Sequence, residues 1–324
     1  MAIGKASDFV IYDEQFQSGQ VEVLAQNLNL FNSASNGAIV LRSEKLPGNY
    51  SKSAFFPMTS GLVTRRDATS VSSVTDIALT QAEIATVKLN RKMGPVAQTL
   101  DAWKKMGATP ELMSFVFGKQ VGVAKIQDHI DIVLAALVAA LEGVSGSALV
   151  FDGTAATMKH SAIVSGMAKL GDAAQRVACL VMHSKPFFDL IQQAITDKVY
   201  GIANTVVYGG SPGTLGKPVV VIDSPSLVVA GSPTTYRTLG LTVGAAEVVE
   251  SEAESVAAEV VTGLENLVGR VQAEYAINLG LKGFTWDVTN GGANPTAGAI
   301  GTGSNWDKKA TSVKDLGGIV VQTQ

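Results

Sequence analysis

The sequence has few of the residues that build metal and redox sites. Its single cysteine, Cys179, excludes an intrachain disulfide and any multi-cysteine zinc or iron–sulfur site. Because Cys179 lies in the apolar run Val177–Met182, we expect a buried thiol. The three histidines, His129, His160 and His183, do not have the spacing of zinc ligands. We therefore expect no metal, no cofactor and no catalytic residue.

Charge is scarce as well. Charged residues make up 16% of the 324 residues, where about 25% is usual, so that roughly 28 charges are missing. The net charge of −3 provides no bulk attraction for nucleic acid or an anionic membrane. The 46% hydrophobic content excludes wholesale disorder. A chain with so little polar surface is expected to bury apolar surface against other subunits.

Long hydrophobic runs are also absent. The longest uncharged apolar run, Ile132 to Leu141, is about half of the roughly 20 residues that cross a bilayer. The start, Met1 to Asp8, lacks the basic-then-apolar pattern of a signal peptide. We expect a protein made in a cytoplasm, with no membrane partner.

The first hundred residues divide into two segments. Residues 1–52 form a polar arm with one short strand at Gly37–Leu41. Residues 53–99 are predicted to be a long two-stranded excursion, with an outgoing strand in 54–64 and a polar tip after it. Its return strand is indicated by apolar residues at every second position, namely Ala85, Val87 and Leu89.

A long helix is predicted from Thr109 to Glu142. Thr109 can cap it, Pro110 suits its first position, and Gly143 ends it. Few charges flank its apolar stripe, which favours a helix lying on a sheet over a coiled coil. The stripe comprises Leu112, Val116, Val123, Ile126, Ile130, Val133 and Leu137.

The pattern from residue 150 onward is that of an α/β unit, which we place at 150–265. Its predicted elements are a helix over Thr154–Leu170, strands at Val177–Met182, Pro218–Ile222 and Tyr236–Val243, and a helix capped by Ser184. One long strand with a single buried face is predicted over 271–286. Its buried side comprises Val271, Ala273, Tyr275, Ile277, Leu279 and Leu281.

The segments that resemble enzyme motifs have simpler explanations. Gly210–Lys217 resembles a phosphate loop, but Pro218 stands where that motif needs Ser or Thr. His183 beside Ser184 lacks the glycines of a nucleophile elbow. Asp152 and Asp223 end apolar strands, where turn formation suffices to explain them.

Charges of opposite sign lie in separate parts of the chain. Arg42 to Lys105 contains ten basic and five acidic residues, whereas 247–265 is acidic, with no Lys or Arg between Arg237 and Arg270. These segments either pair between neighbouring copies and steer assembly, or are simply exposed. Both interpretations remain open at this point.

The order of these parts resembles the major capsid protein of tailed bacteriophages, which has the Hong Kong 97-like fold. The local stretches that resemble this superfamily are Leu62–Asp67, Val87–Lys92, Pro218–Asp223, Tyr236–Leu241 and Gly283–Trp286. Asp8–Glu14 and Asn32–Gly37 resemble one branch of phage capsid sequences. The resemblance spans nearly the whole chain.

The resemblance implies an α+β fold with four parts. These are an N-terminal arm (1–52), an extended loop (53–99), a peripheral domain (100–149 and 266–324, with the spine helix 109–142 and the strand 271–286) and an α/β axial domain (150–265). The extended loop overlaps a neighbour in such shells, so the resemblance makes certain charged residues inter-subunit contacts. They are Arg65, Arg66, Asp67, Lys88, Arg91 and Lys92.

The resemblance also implies a role and partners. The chain is expected to form pentamers and hexamers of an icosahedral virion shell around double-stranded DNA, contacted non-specifically, and to assemble in the cytoplasm of the host bacterium. Separate scaffolding, portal and decoration proteins are the other implied partners. Two alternatives stay open: an encapsulin-like compartment with protein cargo, and a soluble α/β enzyme. In the shell hypothesis, residues 1–99 and the rims of 150–265 expose apolar surface in an isolated subunit.

Overall fold

The computed structural model describes residues 31–57, 61–78, 81–99, 110–199 and 216–324, with isolated positions between 16 and 24 and at 59, 101 and 105. Its helices are α1 (Pro110–Glu142), α2 (His160–Ala168), α3 (Ser184–Val199), α4 (Val288–Gly291) and α5 (Ala297–Ile300). Its strands are β1 (Ile39–Ser43), β2 (Tyr50–Phe55), β3 (Ala82–Thr99), β4 (Val150–Gly153), β5 (Val177–Met182), β6 (Val219–Val221), β7 (Val228–Val229), β8 (Thr235–Thr242), β9 (Ala246–Val261), β10 (Val268–Leu281), β11 (Phe284–Trp286), β12 (Trp306–Lys308) and β13 (Gly318–Thr323).

One sheet has five strands in the order β1–β9–β10–β3–β2. β1 runs parallel to β9, and all other neighbours are antiparallel. The alternation predicted for the long strand is confirmed, because all six residues assigned to its inner face are buried. Its outer face is not uniformly exposed, since Asn278 is also buried and donates to the Thr86 hydroxyl at 2.7 Å.

The predicted long strand is interrupted near its end. β10 begins at Val268 and ends at Leu281, and a turn at Lys282–Gly283 separates it from β11. Gly283 has a φ of 79°, a conformation that side chains with a Cβ rarely adopt. β11 pairs with β12, and Trp286 and Trp306 meet edge to face there.

The second sheet has six strands. Its path is β4–β13–β8–β5–β6, with β7 also paired to β8. β5 is buried at every residue, as the sequence predicts, and Cys179 lies within it. Burial raises the pKa of the Cys179 thiol to about 12, so it is held as the neutral thiol.

The two sheets divide the chain differently from the predicted domains. β9 lies within 150–265 but pairs in the five-stranded sheet, and β13 lies in the last segment but pairs in the six-stranded sheet. The chain passes from one sheet to the other between β8 and β9, through Val243–Ala245. Periodicity shows that a strand has a buried face, but it does not show which sheet the strand joins.

The long predicted helix is present as α1, from Pro110 to Glu142; Thr109 lies outside the described residues. Ile126, Val133 and Leu137 are buried as predicted, whereas Val116 and Val123 are exposed. These two residues continue a seven-residue spacing, and a straight helix turns about 20° away from such a stripe per heptad. Phe117, Val121 and Lys125 face inward in their place.

Close backbone contacts fix both halves of α1. At its N-terminal half, a Cβ on Gly118 would lie 2.2 Å from the Phe16 carbonyl oxygen. Gly122, one turn later, faces the Gln20 carbonyl oxygen and Val23, so the chain before α1 packs directly against these two glycines. At its other end, Gly143 packs against Gly303, where a Cβ would meet the Gly303 Cα at 3.2 Å.

Two boundary predictions were wrong. The outgoing strand of the excursion is β2, Tyr50–Phe55, and the described part of 56–78 contains no strand. The helix predicted from Thr154 begins at His160, because the Thr154 amide and hydroxyl donate to Asp152 and hold a turn there.

Candidate functional site

The loop between β2 and β3 is the most exposed part of the described chain. Every described residue from 61 to 78 is exposed, although the segment is not uniformly polar. Monomeric proteins rarely expose so much contiguous apolar surface. The exposed large apolar side chains of the loop are Phe56, Leu62, Val63, Val71, Val74 and Ile77.

Three of the predicted contact residues lie together on this loop. Asp67 accepts hydrogen bonds from the Thr69 amide (2.9 Å) and the Thr69 hydroxyl (2.7 Å), which lower its pKa and fix a turn. Arg65 and Arg66 precede this turn, and within the described part of the chain neither guanidinium has an ion-pair partner. The loop therefore presents two unpaired cations beside a fixed turn.

The other three predicted contact residues lie on β3, and two of them make internal bonds. Lys88 is buried, and its Nζ lies 2.6 Å from Glu252 Oε1 on β9. Arg91 Nε lies 3.2 Å from Asp128 Oδ2 on α1. Lys92 is exposed and faces Glu274 in the β3–β10 register. All three residues thus lie along β3 and not on the loop.

A buried charge network that the sequence analysis missed lies beneath α1. Lys125, with its side chain only 2% exposed, contacts Glu250 and, at 3.4 Å, Glu254. Its ammonium also lies 4.6 Å from the centre of the Tyr275 ring. The signal in the sequence was the run of Glu250, Glu252 and Glu254 along one strand. Shifts in the β9–β10 register place Glu250 opposite Ile277 but Glu252 opposite Ala276, so that alternation alone does not show which glutamates face α1.

His129 is buried in the same network. Burial, followed by the nearby positive charges of Lys125 and Arg91, lowers its pKa from the usual 6.5 to about 3. Its Nε2 has no hydrogen-bond partner among the described residues. His129 is therefore neutral at physiological pH.

The acidic strand β9 is largely neutralised within the chain. Lys88 and Arg42 each pair with one of its glutamates, Lys125 pairs with two, and Arg270 lies 3.8 Å from Glu259. Two of these ion pairs, Arg42 with Glu247 and Lys88 with Glu252, join the basic segment Arg42–Lys105 to the acidic segment within one copy.

The histidine, serine and aspartate that suggested chemistry form a helix cap. The Lys185 amide donates to His183 Nδ1 at 3.2 Å, and the Ser184 amide donates to Asp223 Oδ1 at 3.0 Å. The cap is thus made by His183 and Asp223, not by the predicted Ser184. These bonds satisfy free amides at the start of α3. The Ser184 hydroxyl lies 3.3 Å from His183 Nδ1, the same nitrogen that accepts from the Lys185 amide, and His183 Nε2 lies 3.4 Å from Asp223 Oδ1. Residues 210–215 of the phosphate-loop-like segment lie outside the described residues.

Within the described ranges, no cluster of His, Cys, Asp and Glu has the geometry of a metal site. None of the described helices is long and apolar enough to span a membrane.

Comparison with known proteins decides the family. The family model described as Major capsid protein 13-like matches residues 8–320. The chain belongs to this family. No curated protein sequence matches it.

Solved structures support the fold. A chain of Mycobacterium phage Adephagia superposes with a TM-score of 0.51 at 10% identity, covering 90% of both chains. A chain of Microbacterium phage Oxtober96 gives a TM-score of 0.50 at 11% identity, covering 90% of this chain and 91% of that one. A structure titled "Capsid of Ralstonia phage GP4" has 14% identity and a TM-score of 0.47, with 89% and 87% covered.

This capsid protein is a structural component of a tailed-phage head, and the expected α+β capsid fold is confirmed. Neither the encapsulin-like nor the enzyme alternative gains support. Self-association into the virion shell follows from the family.

Proposed function

We propose that the chain assembles as pentamers and hexamers of an icosahedral shell that encloses double-stranded DNA. The observation that carries this proposal is the exposed apolar loop 61–78, which an isolated subunit leaves in water. Burying a Val or Leu side chain contributes about 1.5–3 kcal/mol. Several such side chains on one loop therefore supply a strong drive to cover the loop with a neighbour.

In the proposed shell, we give each part of the chain a role. The loop within 53–99 overlaps a neighbouring copy, and the five-stranded sheet with α1 forms the peripheral part. The six-stranded sheet forms the axial part around the pentamer and hexamer axes. Arg65, Arg66, Asp67 and Lys92 are the proposed contacts between copies. Lys88 and Arg91 are removed from this set, because each is bonded to an acid of its own chain.

The remaining partners are proposed from the same role. DNA contacts are non-specific and weak, since the net charge of −3 leaves no strong basic field to hold the phosphates. Separate scaffolding, portal and decoration proteins complete the head, and assembly takes place in the host cytoplasm. We propose no enzymatic activity and no cofactor for the chain.

Electron microscopy of the expressed protein tests the proposal. Closed icosahedral particles are expected, whereas a discrete small oligomer would contradict it. Reversing the loop charges with Arg65→Glu and Arg66→Glu should abolish particles while the subunit stays folded. The matched control, Arg65→Lys with Arg66→Lys, keeps both charges and should still assemble. Particles isolated from infected cells should contain DNA, and protein cargo instead would favour a nanocompartment.

A further inference from the structure

One edge of the six-stranded sheet gathers basic residues. β5 and β6 run parallel and both begin at this edge, where the antiparallel β8 ends and β13 begins. The turn after β10 lies there as well, because the Lys282 amide donates to the Ala245 carbonyl oxygen at 3.0 Å, just beyond the end of β8. The segments that meet at or beside this edge are 169–176, 216–218, 243–245, 282–283 and 306–317. Their basic residues, which we call the basic edge, are Lys169, Arg176, Lys217, Lys282, Lys308, Lys309 and Lys314.

Direct contacts hold these segments against one another. Lys217 Nζ donates to the Gln175 carbonyl oxygen at 3.2 Å, beside Arg176. The Lys309 amide donates to the Gly283 carbonyl oxygen at 2.9 Å, which joins the end of β12 to the turn after β10. Basic residues from distant parts of the sequence therefore share one surface.

The three acids of these segments are already paired with cations of the basic edge. The pairs are Asp172–Lys314, Asp307–Lys309 and Asp315–Arg176. The ammoniums without an acid partner among the described residues are those of Lys169, Lys217, Lys282 and Lys308. Three of these four donate to backbone carbonyl oxygens, which leaves their charge uncompensated. The neighbouring Asp287 caps α4, and the segments themselves carry an excess of four positive charges on a chain of net charge −3.

The opposite edge of the same sheet has no such excess. Two lysines, Lys159 and Lys185, stand there against two aspartates, Asp152 and Asp223. α2 runs from this edge, where Lys159 precedes it, to the basic edge, where Lys169 follows it. The positive charge of the six-stranded sheet is therefore concentrated at one edge.

The composition of the basic edge suits a phosphate backbone better than a protein surface. Lysine is depleted from interfaces between proteins, whose centres are apolar, whereas Lys and Arg supply many of the contacts to phosphate oxygens. Among the described residues of these segments, Val243 is the one large apolar side chain that is exposed. Loop 61–78, by contrast, exposes several such side chains.

We propose that the basic edge contacts the phosphate backbone of the enclosed double-stranded DNA. This inference rests on the proposed function and names the surface of the subunit that faces the interior of the shell. Contacts to phosphates carry no information about base sequence, so that no sequence is preferred. One subunit binds weakly, but a shell presents many copies of the edge to one DNA molecule, and the joint binding is tighter than any single contact.

The salt dependence of DNA binding tests the basic edge. Fluorescence anisotropy measures the binding of a short labelled duplex to the full-chain subunit, isolated from particles by gel filtration. Four phosphate contacts give a slope of about −4 in a plot of log K against log salt. Lys169→Gln with Lys308→Gln removes two exposed ammoniums and should bring the slope to about −2. The matched control, Lys159→Gln with Lys185→Gln, removes two exposed lysines at the opposite edge and should leave the slope unchanged.

Closed particles supply a second measurement with the same duplex. Particles of the unmodified protein should not bind it, because the basic edge lies inside a closed shell. Particles that bind the duplex with the slope of the free subunit would place the edge outside and overturn the contact with enclosed DNA. Circular dichroism verifies that each variant is folded.

The remaining outcomes separate the two proposals. Equal slopes in the two double variants overturn the basic edge and leave the shell function standing. A Lys169–Lys308 variant that forms no particles, yet keeps the slope of the unmodified subunit, makes the edge a contact between copies and overturns the DNA contact. If the unmodified protein forms no particles at all, the shell function itself fails.

Discussion

His129 allows a sharp test of the buried network beneath α1. It is packed against Lys125 on its own helix, Arg91 on β3 and the Tyr275 ring on β10, whose centre lies 5.9 Å away. Its folded-state pKa is about 3, whereas an unfolded chain restores the usual value near 6.5. As the pH falls below 6.5, His129 binds a proton in the unfolded state but not in the folded state. Stability therefore decreases between pH 6.5 and pH 3.

The size of this effect follows from the two pKa values. Each pH unit below 6.5 costs about 1.4 kcal/mol, so roughly 2 kcal/mol is lost by pH 5 and about 5 kcal/mol, as an upper bound, by pH 3. His129→Gln replaces the ring with an amide that stays neutral throughout this range. The variant should retain about 2 kcal/mol more of its pH 7 stability at pH 5 than the unmodified chain does.

Urea unfolding of the subunit at pH 7 and pH 5 measures this difference, with the fluorescence of the buried pair Trp286 and Trp306 as the signal. The carboxylates that titrate in this range are shared by both proteins, so their contribution cancels in the comparison. His160→Gln, at a histidine outside the network beneath α1, serves as the control and should follow the unmodified chain. Equal pH dependence in all three proteins would refute a buried neutral His129.

Other variants test the buried charge network and the packing of the preceding chain on the glycines of α1. Lys125→Met leaves two glutamates without their cation and should lower the free energy of unfolding in urea by about 3–5 kcal/mol. The control Lys105→Met removes an exposed ion pair with Asp101 and should change that free energy by under about 1 kcal/mol. A Lys125→Met variant as stable as the parent would contradict the network. Gly118→Ala should displace the Phe16 backbone and increase hydrogen exchange at residues 16–24. The control Gly298→Ala should leave exchange there unchanged, because a Cβ on Gly298 would meet nothing closer than 3.8 Å. Unchanged exchange in both variants would contradict the packing of this segment on Gly118.

Local patterns predicted the elements well and their partners less well. The alternation of β10 and the apolar run of β5 depend only on neighbouring residues, and both were confirmed. Two features needed the folded chain: which sheet receives β9, and which face of α1 meets the sheet. Both depend on residues distant in sequence, and the seven-residue spacing of Val116 and Val123 led the stripe away from the true contact face.

The candidate site was predicted in part for the same reason. The resemblance to tailed-phage capsid proteins implied the loop arginines as contact residues, and the structure leaves them exposed. Lys88 has the same charge, yet it is buried and paired with Glu252 of β9, which lies one strand beyond β10 in the sheet. A sequence shows which residues are charged, but internal pairing decides which charges remain for a partner.

The surface of the subunit carries fewer charges than the overall content of 16% charged residues suggests. Lys88 on β3 and Lys125 on α1 are buried, so they add almost nothing to the polar surface. The loop, in turn, exposes Val63 and Val71 almost completely. Burying each valine contributes about 1.5–3 kcal/mol, whereas an exposed ion pair contributes about 0.2–1 kcal/mol. In the proposed shell, burial of the apolar side chains of the loop therefore contributes more to the contact between copies than the arginines do.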